Sequence, residues 1–206
     1  LIRAAHSAHE ARRAAEFGVR TGPVEVDFGA VMERMRRLRA GISKHDSVAR
    51  FAGLGIDVFL GDAEFTGRDR VQVGDKTLVF SKACIATGAR AIHLPIPGLR
   101  DSGALTNETV FSLTELPPRR AVVGAGPIGV ELAQAFARLG SRVTLLEQER
   151  QILPREDREA ADIVSASLLR DGVELNCCAK AVGVRLEGAE RVIELEMEGQ
   201  RSELRV

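Results

Sequence analysis

Residues 121–129 read Ala121-Val122-Val123-Gly124-Ala125-Gly126-Pro127-Ile128-Gly129. A short apolar run leads straight into three glycines spaced GxGxxG. An amphipathic stretch follows, with Ile128, Leu132, Ala135, Phe136 and Leu139 on one helical face. The glycine spacing alone is a weak signal; its place between a strand and a helix gives it meaning. Each glycine then has a separate task. Gly124 lets the chain turn tightly, and Gly126, lacking Cβ, lets backbone approach a diphosphate. Gly129 lets the helix pack closely on the sheet. Pro127 occupies the first helical turn, where its missing N–H would have had no partner. The free amides of that turn and the positive end of the helix dipole face an anion.

Glu147 closes the unit, 23 positions after Gly124 at the end of the next apolar run. A carboxylate there accepts hydrogen bonds from the adenosine ribose and repels a 2′-phosphate, so NAD is favoured over NADP. Arg150 stands close enough to oppose that preference, although it also reads as a solvated turn residue.

Outward from this unit the second half alternates regularly. Strands are expected at 120–123, 142–147 and 173–176, with helices at 127–139 and 156–170 between them; two more strands follow near 181–186 and 190–197. Such alternation implies a parallel sheet with helices packed on it. A short helix is expected near 107–113. In the first half, 1–17 reads as a helix ending at Gly18. Phe28, Val31, Met32, Met35, Leu38 and Ile42 recur at helical steps and form an apolar stripe. Short β-type runs follow at 56–60, 70–73, 77–80 and 82–87, punctuated by Gly61, Gly67, Gly74 and Gly88. Pro95, Pro97 and Gly98 mark an irregular crossover between domains.

The balance of 29 basic and 29 acidic side chains argues against a nucleic-acid protein, which needs a positive excess. The Arg34, Arg36, Arg37 and Arg39 cluster reads as a solvated helix face. No stretch is long and apolar enough for a membrane span, no signal-peptide pattern is visible, and a cytoplasmic location is expected. Cys84, Cys177 and Cys178 make no metal-ligand spacing and read as structural thiols. His6, His9, His45 and His93 read as surface residues, and no metal site is expected.

Several stretches together resemble the pyridine nucleotide–disulfide oxidoreductases, in the branch of mercuric reductase and dihydrolipoamide dehydrogenase. They are Leu1-Ile2-Arg3-Ala4-Ala5, Gly61-Asp62-Ala63-Glu64-Phe65, Ile85-Ala86-Thr87-Gly88-Ala89-Arg90, the run 124–131, and 145–155. The resemblance implies an α/β fold with two Rossmann-like nucleotide-binding domains, both incomplete, with parallel sheets and β-meander crossovers. Residues 1–104 would belong to the FAD-binding domain and 105–206 to the NAD(P)-binding domain. It places Ala63, Thr87 and Gly88 beside FAD, Glu131 where nicotinamide meets flavin, and Ala181 near the NAD adenine. The turn residues Gly124, Gly126, Pro127, Ile128 and Gly129, with Glu147, would hold NAD.

The departures matter equally. The family's first GxGxxG and its redox cysteine pair have no counterpart here, so no catalytic residue is assigned within the chain. Pro127 stands where some members carry a gating tyrosine. The resemblance therefore implies an internal piece of a homodimeric flavoenzyme. Such an enzyme passes hydride from NAD(P)H to FAD and electrons on to a disulfide, a metal ion or another acceptor. The alternatives are a stand-alone NAD-binding module and a flavoenzyme of the NADH oxidase or transhydrogenase type.

Overall fold

The computed structural model describes residues 1–92 and 94–206, so His93 lies outside the described residues. The helices are α1 (Ile2–Arg13), α2 (Phe28–Ser43), α3 (Val48–Gly53), α4 (Pro127–Leu139) and α5 (Arg158–Arg170). The strands are β1 (Ala63–Phe65), β2 (Arg70–Val73), β3 (Lys76–Val79), β4 (Arg119–Val123), β5 (Arg142–Leu146), β6 (Glu174–Asn176), β7 (Ala179–Glu187), β8 (Glu190–Met197) and β9 (Gln200–Arg205). They fall into two units, Leu1–Met35 with Ala91–Val206, and Arg36–Arg90.

In the first unit β4, β5 and β6 form a parallel sheet in that order, with α4 and α5 as the crossovers. The fold is thus the α/β type that the strand–helix alternation implies. Gly140 ends α4 at φ +117, a left-handed cap that a residue with Cβ resists. Asp157 starts α5 by accepting the Glu159 amide. Phe136, Val143, Leu145, Ile152 and Leu168 are fully buried in one core with Met32 of α2. Burying each such side chain stabilises the fold by about 1.5–3 kcal/mol. Phe28 meets Phe136 with ring centroids 6.0 Å apart.

β7, β8 and β9 form an antiparallel meander. Its Ala179, Ala181, Ile193 and Leu195 share a second apolar cluster with Leu146 of β5. The crossover docks here as well. Ile96 packs on that cluster, and the Val184 amide donates to Pro97 O at 2.8 Å. A Cβ on Gly98 would stand 1.9 Å from Val184 O, so only glycine fits.

Helix α1 packs on α4 through small residues, with Ala5 buried, and through one acid. The Asp171 carboxylate, 4% exposed, takes His9 Nδ1 at 2.9 Å and Arg138 Nη2 at 2.9 Å. Gln134 Nε2 donates to it at 2.7 Å. His9 is therefore not a surface histidine; its side chain is 17% exposed and tied to this acid.

The second unit holds an antiparallel sheet, β1–β2–β3. The β2–β3 hairpin turns on Gly74-Asp75, with Gly74 at φ +59 as a two-residue turn of this kind requires. The runs 56–60 and 82–87, expected as strands, are irregular. Leu60 is 80% and Ile85 72% exposed. A strand exists only where a neighbour takes its amides and carbonyls, and among the described residues neither run has a ladder partner. Two helical expectations also shift. α3 lies outside the expected elements, although Ser47 caps it by accepting the Arg50 amide, and the helix expected near 107–113 is a single 3-10 turn at Val110–Ser112. The α2 stripe is buried at Phe28, Met32 and Met35, whereas Leu38 and Ile42, beyond the first unit's end, are exposed. Cys84 is exposed rather than structural, while Cys177 packs on the first core.

Candidate dinucleotide-binding site

The β4–α4 turn owes its shape to its glycines. Gly124 adopts φ +98 and donates to Leu146 O at 2.8 Å, which fixes the turn onto the end of β5. Gly126 is the N-cap of α4, with extended backbone and no side-chain cap. A Cβ built on it would meet nothing within 4 Å, so the approach to its backbone is open. A Cβ on Gly129 would stand 2.0 Å from Gly124 O and 3.5 Å from Val122 Cγ1. The helix thus starts directly against the turn, and the contact tolerates no side chain.

Pro127 opens α4 and Ile128 follows, 54% exposed. The first intrahelical bond is Val130 N–H to Gly126 O at 3.0 Å. The amides of Ile128 and Gly129 precede it and have no helical partner. Glu131 lies exposed one turn along. The end of the helix is therefore a positive, uncapped, sterically open surface, which suits an anion with several oxygens.

Glu147 is 8% exposed, and its carboxylate is held from two sides. Oε2 accepts the Ala125 amide at 2.7 Å, and Oε1 accepts the Glu149 amide at 3.1 Å. Each oxygen keeps a lone pair for a further donor, such as a ribose hydroxyl. Arg150, three positions on, is exposed.

Sequence reasoning missed the partner of the turn. Leu153, at φ +49, donates its amide to Ala125 O at 2.8 Å. A left-handed leucine is strained and persists only where its surroundings hold it. It ties the 147–153 loop to the glycine turn, and no local sequence pattern announces it.

Ala181 is buried on β7 in the cluster that includes Leu146, so the same layer carries it. Ala63 lies on β1, and Thr87 and Gly88 lie in an irregular exposed stretch, Gly88 at φ +68; all three belong to the second unit. The structure therefore brings together 124–131 and Glu147, with Ala181 on the adjoining strand.

Two further groups colour the surroundings. Burial pushes the Arg120 guanidinium down to about 10, and its carbon lies 3.5 Å from the Phe136 ring centroid. That cation–π contact offsets part of the desolvation cost. Burial first, then Cys178 and Glu147, pushes the Cys177 thiol up. A surface groove lined by Arg119, Gly140, Ser141 and Arg142 lies at the amino ends of β4 and β5. Ligands of open parallel sheets bind at the carboxyl ends, where the glycine turn is.

A parallel β–α–β unit with a glycine turn, an acid at the next strand's end and a meander after it defines a dinucleotide-fold protein. The family model for pyridine nucleotide-disulphide oxidoreductase matches residues 3–205, and the chain belongs to that family. The dihydrolipoyl dehydrogenase of Geobacillus stearothermophilus is 33% identical over 199 residues, 91% of this chain and 41% of its own length. The mercuric reductase of Bacillus cereus is 29% identical over 207 residues, 95% of this chain and 33% of its own. Among solved structures, LpdA from Mycobacterium tuberculosis superposes with a TM-score of 0.78 at 27% identity, covering 98% of this chain and 45% of that one. The HOCl-induced flavoprotein disulfide reductase RclA from Escherichia coli gives 0.73 at 28%, covering 98% and 44%. The chain spans less than half the length of each of these relatives.

Proposed function

We propose that this chain supplies the nicotinamide dinucleotide site, and part of the flavin site, of an FAD-dependent pyridine nucleotide–disulfide oxidoreductase. Residues 105–206 form most of the NAD(P)-binding domain in this reading, and 1–104 belong to the FAD-binding domain. The turn of Gly124, Gly126, Pro127, Ile128 and Gly129 cradles the diphosphate, with the unpartnered Ile128 and Gly129 amides as donors. Glu147 takes the ribose hydroxyls, which favours NAD over NADP. Ala181 borders the adenine, and Glu131 lies toward the nicotinamide. Ala63, Thr87 and Gly88 contact FAD. A bound nicotinamide supplies a hydride, for which a flavin is the acceptor on the way to a disulfide, a metal ion or another acceptor.

The carrying observation is the bare space over Gly126 beside an uncapped helix start. A Cβ there costs the protein nothing and obstructs a phosphate. The test is an NADH titration read by nicotinamide fluorescence, against a chain with no Trp and no Tyr. Saturable binding is expected in the parent protein, weakened about tenfold or more, or at least 1.4 kcal/mol, in Gly126→Ala with an unchanged melting curve. A folded protein that shows no saturable binding would end this reading.

A further inference from the structure

Cys177 and Cys178 have no task in the dinucleotide reading, yet they lie against its ribose corner. Three backbone hydrogen bonds join the two stretches. Glu147 N–H donates to Asn176 O at 2.9 Å, Cys178 N–H to Glu149 O at 2.9 Å, and Ala179 N–H to Glu147 O at 2.8 Å. Cys178 sits at φ +56, a left-handed conformation that a residue with Cβ rarely adopts. Cys177 packs on the apolar core. Both thiols are free and half-buried.

A direct S–S bond between these neighbours is disfavoured. Their Cα atoms are held about 3.8 Å apart by one trans peptide, below the usual disulfide span. One thiophilic atom placed between the sulfurs widens the ring and removes that constraint. A trivalent arsenical, R–As=O, is such a species. Its As–O bonds give way to two As–S bonds, both thiol protons leave with the oxygen as water, and neither arsenic nor sulfur changes oxidation state.

We propose that Cys177 and Cys178 form a capture site for dithiol-specific electrophiles of the trivalent arsenical class, and that capture weakens dinucleotide binding. The second half rests on the dinucleotide reading above. Ring closure ties both side chains into one ring and so constrains the 177–178 backbone, which is hydrogen-bonded to Glu147 and Glu149. Moving it pulls the carboxylate away from the Ala125 amide and from the place of the ribose.

The test treats the full chain with phenylarsine oxide, maps the adduct by mass spectrometry and then titrates NADH. One phenylarsenic per chain is expected on the 177–178 peptide, released by a small dithiol and not by a monothiol. It persists in Cys84→Ser and disappears in Cys177→Ser and in Cys178→Ala. The adduct binds NADH about tenfold or more weakly, and saturating NADH slows its formation. No adduct, or one that survives both substitutions, overturns the proposal. An adduct with unchanged NADH affinity overturns the coupling while the dinucleotide reading stands. Failure of the untreated protein to bind NADH overturns both, and the untreated control tells these failures apart.

Discussion

The Glu147 carboxylate accepts the Ala125 amide at 2.7 Å, joining the end of β5 to the glycine turn across 22 positions of sequence. The same carboxylate accepts the Glu149 amide. Glu147→Gln leaves one acceptor oxygen for two amides, and the orphaned donor costs about 1–3 kcal/mol. Equilibrium denaturation is expected to show that loss. Titrations with NADH and NADPH are expected to show weaker NADH binding and a narrowed preference. Unchanged stability and unchanged preference together would count against the role assigned to this acid.

Gly129→Ala separates packing from ligand approach. Its Cβ would stand 2.0 Å from Gly124 O, a backbone atom that cannot swing aside. The start of α4 must shift, at a cost of about 1–3 kcal/mol. Urea unfolding is expected to report the destabilisation alongside loss of NADH binding, whereas Gly126→Ala loses binding alone. Equal stability in the two variants would contradict the geometry of the turn.

Asp171 holds α1 against α4. Removing its nearly buried carboxylate strands His9 Nδ1 and the Arg138 guanidinium and leaves Gln134 Nε2 with Ser167 Oγ alone. Asp171→Ala is expected to cost about 3–5 kcal/mol, as breaking a buried ion pair does. Amide exchange over Ile2–Arg13 should accelerate while exchange in β7–β9 does not.

Phe136 is fully buried, meets Phe28 across 6.0 Å and underlies the Arg120 guanidinium. Phe136→Ala is expected to cost about 3–5 kcal/mol by chemical denaturation. Phe136→Leu, which keeps more of the volume, costs less but also loses the cation–π contact. A leucine variant as stable as the parent would show that this contact contributes nothing.

Acid sensitivity is expected in the meander. Hydrogen bonds from Arg205 and then Arg185 hold Glu187 below the usual carboxylate range, and Arg119 does the same for Glu190. A carboxylate whose pKa is lowered by folding stabilises above its unfolded value, and that contribution is lost as pH falls through the folded one. Both acids are solvent-exposed, so the effect is small and screened by salt. Melting curves from neutral to acid pH should fall less steeply in Arg205→Gln than in the parent. Matching slopes would remove these pairs from the account.

Residues 119–176 were legible because local signals and tertiary demands agree there. The apolar runs, Gly140 and the acid before α5 each act within a few positions. Gly124 and Gly129 also follow from the motif, since a tight turn and a close helix contact are backbone matters. Runs 56–60 and 82–87 misled because an apolar stretch specifies a strand only if another strand accepts its hydrogen bonds. His9 misled for a related reason: its spacing to His6 is visible, but Asp171 lies far along the chain. The place of Glu147 was readable from spacing, whereas its grip on Ala125 depends on the Leu153 bend. The expectation that Ala63, Thr87 and Gly88 contact FAD rests on resemblance alone.

The docking of Pro97 and Gly98 against Val184 bears on how this protein can be divided. That crossover caps one point on the edge of β7 and places Ile96 over the apolar cluster beneath. A recombinant piece that begins after residue 98 would leave the Val184 amide unpaired on an open sheet edge, a template for strand addition by a second molecule. Separate expression of the dinucleotide half should therefore retain Ile96, Pro97 and Gly98, even though they contribute nothing to the ligand-facing turn.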